Sequence, residues 1–106
     1  MAESGCYSDE PANRVMRAGT RMPEVDGVTT GMTRENCLAY CFNHASVYTF
    51  FGVESGHECF CGHDLRGMHL REVDSSNCNV ACAGDKSVTC GGENAVEVFE
   101  IVGIEG

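Results

Sequence analysis

Cysteines dominate the chemistry open to this chain, eight of them in 106 residues. Cys37 and Cys41 are four apart, so on a helix they share one face with a rise of about 6 Å between them. Cys59 and Cys61 are two apart, so on a strand they also share a face, separated by about 6.6 Å. The two spacings match. A helix lying along that strand can set both thiols of one pair opposite both thiols of the other and form two parallel bridges, without the spacing saying which thiol meets which. With an even cysteine count, disulfide formation leaves no thiol for nucleophilic or metal chemistry. His57, His63 and His69 fall six apart and, beside Cys59 and Cys61, suggest zinc. Structural zinc sites space their cysteines C-x2–4-C, however, and a bridged scaffold consumes the thiolates, so no metal or other cofactor is expected. Asp64, Asp74 and Asp85 show no EF-hand spacing and read as solvated turn residues.

Two glutamates, Glu54 and Glu58, flank a turn and could be taken for the carboxylate pair of a glycosidase. A chain this short, held by four bridges, has little room for the cleft a hydrolase needs, so no enzymatic activity is expected. One glutamate is better read as an acceptor of backbone N–H groups, the other as a partner of an arginine or of a ligand hydroxyl. The aromatic residues include Tyr7, Tyr40, Tyr48, Phe50, Phe51 and Phe60. Such rings either fill the core or offer a flat apolar surface on which a sugar can stack, tyrosine being suited to both because its hydroxyl seeks water or a partner.

The elements that must position these groups follow from local pattern. Thr33 is placed to cap a helix over residues 34–44, with Glu35 in its first turn and Cys37, Leu38, Cys41 and Ala45 forming its buried stripe. Residues 47–54 are β-branched and aromatic, hence a strand. Ser55-Gly56 turns the chain into a second strand, 57–61, with Cys59 and Cys61 toward the helix and Glu58 and Phe60 on the other face. If the first strand alternates throughout, Tyr48, Phe50 and Glu54 share one face and Thr49, Phe51 and Val53 the other. A short strand is expected at 5–8 and the best strand by composition at 95–102, pairing beside it. Residues 14–31 read as loop, with at most a short strand at 14–16, and residues 62–77 as a long surface loop. A Cys82–Cys90 bridge would close a small local loop, which leaves Cys6 with Cys78.

Composition bounds the rest. One small domain with 13 glycines and no tryptophan needs its bridges for stability and an oxidising compartment to keep them. A net charge of −9 disfavours nucleic acid and anionic membrane surfaces, both of which demand basic patches. No apolar run is long enough to span a bilayer. The first residues lack the basic and apolar regions of a signal peptide, so the expectation is a domain excised from a longer secreted chain. No Asn-x-Ser/Thr acceptor for N-glycans occurs.

Gly5-Cys6-Tyr7, the run Met32-Thr33-Arg34-Glu35-Asn36-Cys37 with Cys41, the stretch from Gly52-Val53-Glu54 through Glu58-Cys59-Phe60-Cys61-Gly62, and the tail Cys78-Asn79-Val80-Ala81-Cys82 with Cys90-Gly91-Gly92 together resemble the WSC domain. The likeness covers nearly the whole chain. It departs from the family in lacking an aromatic before the first cysteine and at Ser55. The resemblance implies an α+β fold related to PAN/apple modules, one main helix on a short antiparallel sheet, with bridges Cys6–Cys78, Cys37–Cys59, Cys41–Cys61 and Cys82–Cys90. It places the domain at residues 5–102, with 1–4 and 103–106 as flanking residues. It also implies a non-catalytic extracellular or cell-wall module, secreted or part of a membrane protein's ectodomain, that binds fungal wall polysaccharide. The foremost ligand is β-1,3-glucan, with chitin or xylan as other polymers of the class. The expected contacts are Tyr7, Tyr48 and Phe60 as stacking rings and Glu54, Glu58 and His57 as polar partners. The alternative is a protein-interaction or self-association domain of a wall-stress sensor.

Overall fold

The computed structural model describes residues 2–9, 20–23, 31–44, 48–63 and 71–101. Its order is β1 (Ala2–Ser8), β2 (Thr20–Arg21), α1 (Arg34–Phe42), β3 (Phe50–Glu54), β4 (Glu58–Gly62), a 3-10 turn (Ser75–Asn77), β5 (Ala81–Cys82), β6 (Asp85–Thr89) and β7 (Ala95–Glu100). Five strands form one antiparallel sheet in the order β1-β7-β3-β4-β2, while β5 and β6 pair separately.

The helix starts where Thr33 caps it, its hydroxyl accepting the Asn36 N–H at 3.0 Å. It ends two residues earlier than its apolar pattern suggests, with Asn43 as the C-cap and its side-chain amide donating to the Ala39 carbonyl beside its backbone N–H. Ala45 lies outside the described residues. The helix is laid against β3 and β4 by the Cys37–Cys59 and Cys41–Cys61 bridges, each with 5.5 Å between Cα atoms. Equal separations are what matched rises of about 6 Å and 6.6 Å produce. Around these bridges Met32, Phe51, Val53 and Phe99 pack with no exposed surface to speak of, the Phe51 and Phe99 rings stacked at 5.1 Å. This is the helix-side face of the sheet.

The remaining bridges tie down what the sheet does not. Cys6–Cys78 fastens β1 to the segment after the 3-10 turn, and Cys82–Cys90 links β5 to the residue following β6. All four pairings agree with the family pattern. The Cys82–Cys90 segment is not a simple loop, however; β5 and β6 form a hairpin there. The stretch read as irregular between residues 14 and 31 contains β2, which borders β4, while 14–16 lies outside the described residues. The long loop at 62–77 contains the 3-10 turn, opened by Asp74, whose carboxylate accepts the Ser76 N–H at 2.9 Å.

Three glycines explain local sequence. Ser55 and Gly56 have φ of 56° and 84°, the two positive values of the tight turn whose twist suits a hairpin. Gly91 has φ of +77°, and a Cβ there would lie 2.2 Å from the Val53 carbonyl oxygen, just as one on Gly92 would lie 1.8 Å from that of Asn77. The Cys90-Gly91-Gly92 run is therefore a packing requirement, since backbone passes where a side chain would sit.

Candidate functional site

In an antiparallel sheet, directly opposed residues point to the same face. The register thus sorts the side chains that face away from α1 into rows. Arg21 opposes Phe60, Phe60 opposes Gly52, Gly52 opposes Val98, and Val98 opposes Gly5. The next row runs Glu58, Glu54, Val96, Tyr7, and Phe50 lies between Gly62 and Glu100 in a third. Val96 and Val98 form the centre of a separate apolar cluster, against which Tyr7, Phe50 and Phe60 pack half-buried. From Tyr7 on β1 to Glu58 on β4 is three strand spacings, about 14 Å.

Four of the six residues singled out from the sequence, Tyr7, Phe60, Glu54 and Glu58, therefore share this second face. Tyr7 reaches the Ser4 carbonyl with its hydroxyl at 3.4 Å, and burial, then the charge of Glu72, holds its pKa above the ordinary tyrosine value. Glu58 forms an ion pair with Arg21, whose side chain is 48% exposed and whose guanidinium carbon stands 5.6 Å from the Phe60 ring centroid. Glu54 is only 2% exposed, so it is not a surface contact. The two glutamates face each other across the hairpin, Glu54 buried and Glu58 engaged by Arg21. His57 occupies the turn at the end of this face, its Nδ1 3.0 Å from the Ser55 carbonyl oxygen.

Tyr48 is elsewhere. The β3 ladder begins at Phe50, so alternation does not extend back to Tyr48, which joins the helix-side core at 7% exposure with the His63 and His44 rings 4.6 and 5.1 Å away. A ring so enclosed has no face to offer a sugar. His57 and His63 bracket β4, about 20 Å apart along an extended chain, and His69 lies outside the described residues. The sulfurs of Cys37, Cys41 and Cys59 lie within 4.8 Å of one another, but each is already bonded within a disulfide.

Sequence reasoning missed the place of Arg21 and a network around Glu97. Arg21 sits in a stretch without periodicity, and nothing local marks it as a neighbour of Phe60. Arg34, Thr89 and Glu97 form a partly buried network beneath the helix. The Arg34 guanidinium donates to the Thr89 carbonyl and hydroxyl at 2.8 and 2.9 Å and to Glu97 at 3.1 Å, and lies 4.9 Å from the Phe99 ring centroid. Glu97 also accepts the Gly91 N–H at 3.1 Å. A signal for Glu97 existed, because it alternates with Ala95 and Phe99 on the inward face of β7.

Residues 4–92 match the family model described as WSC domain. The chain is 34% identical over 96 residues to a WSC domain-containing protein of Arthroderma benhamiae, covering 91% of this chain and 12% of that protein. It is 35% identical to xylosyltransferase sqv-6 of Caenorhabditis briggsae, covering 90% and 11%, and 32% identical to Kremen protein 1 of Homo sapiens, covering 91% and 19%. It therefore spans between about a tenth and a fifth of the length of these relatives. No helix among the described residues is long and apolar enough to cross a membrane. Four bridges are maintained in the oxidising conditions outside the cell or in the secretory pathway. Cysteine order, bridge pattern, helix-on-sheet fold and matched span agree: the chain belongs to the WSC domain family.

Proposed function

We propose that this domain is a non-catalytic module that binds wall-type polysaccharide, β-1,3-glucan foremost, through the sheet face opposite α1. The observation carrying this reading is the convergence of Tyr7, Phe50 and Phe60 on that face with the Arg21–Glu58 pair at its edge. A sugar ring has an apolar face and a polar rim, so it is met by flat aromatic surface flanked by hydrogen-bonding groups. Phe60 and Tyr7 are the stacking contacts and Glu58 the polar one, with His57 at the rim. Glu54 lies buried in the same row, and Tyr48 belongs to the core on the other side of the sheet. Each site is shallow, so affinity per site is modest and repeated sites on a polymer supply avidity. Such a module would serve at an extracellular surface or in a cell wall, attached to whatever else its parent chain carries.

The test is a pull-down of the oxidised domain with insoluble β-1,3-glucan, chitin, xylan and cellulose, beside Phe60→Ala and Tyr7→Ala variants whose four bridges are verified by mass. Selective retention lost in both variants supports the reading and identifies the polymer. Failure to bind any of the four polymers moves the function to protein contacts or self-association.

A further inference from the structure

We infer that the Tyr7 end of this face is a subsite for a cationic sugar, the glucosamine unit of deacetylated chitin, with Glu72 as the counter-ion of its ammonium group. The inference rests on the glycan-binding reading above and names the class of sugar taken at one end of the face. Residues 71–73 run antiparallel along the outer edge of β1, the Val73 N–H donating to the Cys6 carbonyl and the Ser8 N–H to the Arg71 carbonyl, both at 2.9 Å. Glu72 is thus bridged to Tyr7 as a non-hydrogen-bonded pair, the kind whose side chains share a face and stand closest. It continues the row Glu58, Glu54, Val96, Tyr7 by one more strand.

Gly5 makes room for the pair. A Cβ on it would lie 3.0 Å from Oε2 of Glu72 and 3.4 Å from both Cζ and Oη of Tyr7. Carboxylate and phenol therefore meet over one bare glycine, whose φ of +150° suits a residue without Cβ. The Tyr7 hydroxyl donates to the Ser4 carbonyl at 3.4 Å, which leaves its oxygen as an acceptor. Burial, then the charge of Glu72, raises the Tyr7 pKa, so the carboxylate is felt at the phenol. Glu72 is exposed and makes no ion pair among the described residues, and Arg71 alternates to the other side of the extended backbone. At the far end of the row, about 19 Å away over four strand spacings, the charge of Glu58 is met by Arg21. One end of the row is neutralised and the other is anionic.

A ring with a carboxylate beside it suits an ammonium group, which is drawn to the π-face and makes a charge-assisted hydrogen bond to the carboxylate. Glucosamine brings that ammonium next to an apolar ring face that Tyr7 can meet; glucose brings only a hydroxyl. A net charge of −9 adds a field that attracts polycations.

The experiment is isothermal titration calorimetry at low and moderate salt, in mildly acidic buffer that keeps amines protonated. The ligands are the glucosamine hexamer, the N-acetylglucosamine hexamer, soluble β-1,3-glucan and hexalysine. The proteins are the 106-residue chain, Glu72→Gln, Tyr7→Leu and Glu35→Gln, each confirmed folded by circular dichroism and an intact bridge count. Glu35 is an exposed acid in the first turn of α1, on the other side of the sheet, so its variant removes the same charge away from the subsite. The wild type is expected to bind the glucosamine hexamer more tightly than its acetylated twin. Glu72→Gln should weaken that binding about tenfold, the scale of one charge-assisted hydrogen bond, and reduce its salt dependence. Tyr7→Leu should weaken both hexamers, and Glu35→Gln should keep the preference. Equal losses in Glu72→Gln and Glu35→Gln would assign the effect to overall charge and overturn the subsite. Hexalysine binding as tightly as the glucosamine hexamer would overturn the assignment to a sugar. A wild type that binds β-1,3-glucan without preferring the glucosamine hexamer over the acetylated one overturns this inference and leaves the binding face standing. If it binds neither the glucan nor either sugar hexamer, the glycan reading fails and this inference falls with it.

Discussion

Two ion pairs show how burial decides the worth of a charge. Arg21, about half exposed, meets Glu58 at the edge of the sheet, where such pairs contribute roughly 0–1 kcal/mol, so Arg21→Gln should cost little stability in chemical denaturation. Glu97 is 3% exposed and holds Arg34, the Thr89 hydroxyl and the Gly91 N–H together. Arg34 opens α1, where a positive charge is disfavoured by the helix dipole; Glu97 is what offsets it. Glu97→Ala is expected to cost about 3–5 kcal/mol, the scale of breaking a buried pair by removing one partner, read from chemical denaturation under non-reducing conditions. A neighbouring carboxyl gives a pH signature. Burial first, then the charge and hydrogen bond of Glu97, hold Glu3 above the ordinary glutamate pKa, with Arg34 pulling the other way. The fold therefore favours the protonated form, and ionised Glu3 costs stability at neutral pH. Glu3→Gln should raise the unfolding midpoint at pH 7, with its advantage over wild type shrinking as pH falls through the raised value toward about 4. A constant advantage across that range would refute the assignment.

Among the elements, the β3–β4 hairpin carries both halves of the domain. One side of it receives the helix through two disulfides; the other presents Phe50, Phe60 and Glu58. Its outline was readable in advance because strong local signals coincide: β-branched and aromatic residues, a Ser-Gly turn, and cysteines at period two. The same holds for α1, whose cap and cysteine spacing are local. β5 and β6 were not readable, since Asp85-Lys86-Ser87 looks like loop until Cys82–Cys90 and the Gly56–Ala83 backbone contact hold it extended. The element most sensitive to a single methyl is the connection into β7. Gly91→Ala combines a left-handed backbone, costing about 1–3 kcal/mol, with displacement of β3 backbone 2.2 Å away. Poor yield of correctly bridged protein is expected, with a clear loss of stability in whatever folds. Wild-type stability would show that the chain can reroute there.

For the molecule as a whole, the bridges differ in what they constrain. Cys6–Cys78 spans 72 residues and Cys82–Cys90 only 8. Loop-closure entropy then assigns about 4.4 kcal/mol to the first and about 2.5 kcal/mol to the second. Removing Cys6 and Cys78 together should lower stability more than removing Cys82 and Cys90, measured by denaturant titration of the two double-serine variants. The opposite order would mean that the local hairpin, not chain closure, limits stability. The long bridge also secures β1, which carries Tyr7 at one end of the sheet face opposite α1.

The sequence by itself determined the paired helix and strand cysteines, the helix cap, the hairpin and its two-faced strand, the pairing of the first and last strands, and through motif likeness the family and its bridges. These depend on neighbours a few residues apart, or on cysteines whose number and order leave few arrangements. Only the tertiary structure decided that β7 enters between β1 and β3, that β2 brings Arg21 to Phe60, and that Tyr48 and Glu54 are buried rather than displayed. Those outcomes depend on contacts between segments tens of residues apart. Local periodicity carries no record of which distant strand will supply the neighbour, and a half-apolar side chain is exposed or buried according to that neighbour.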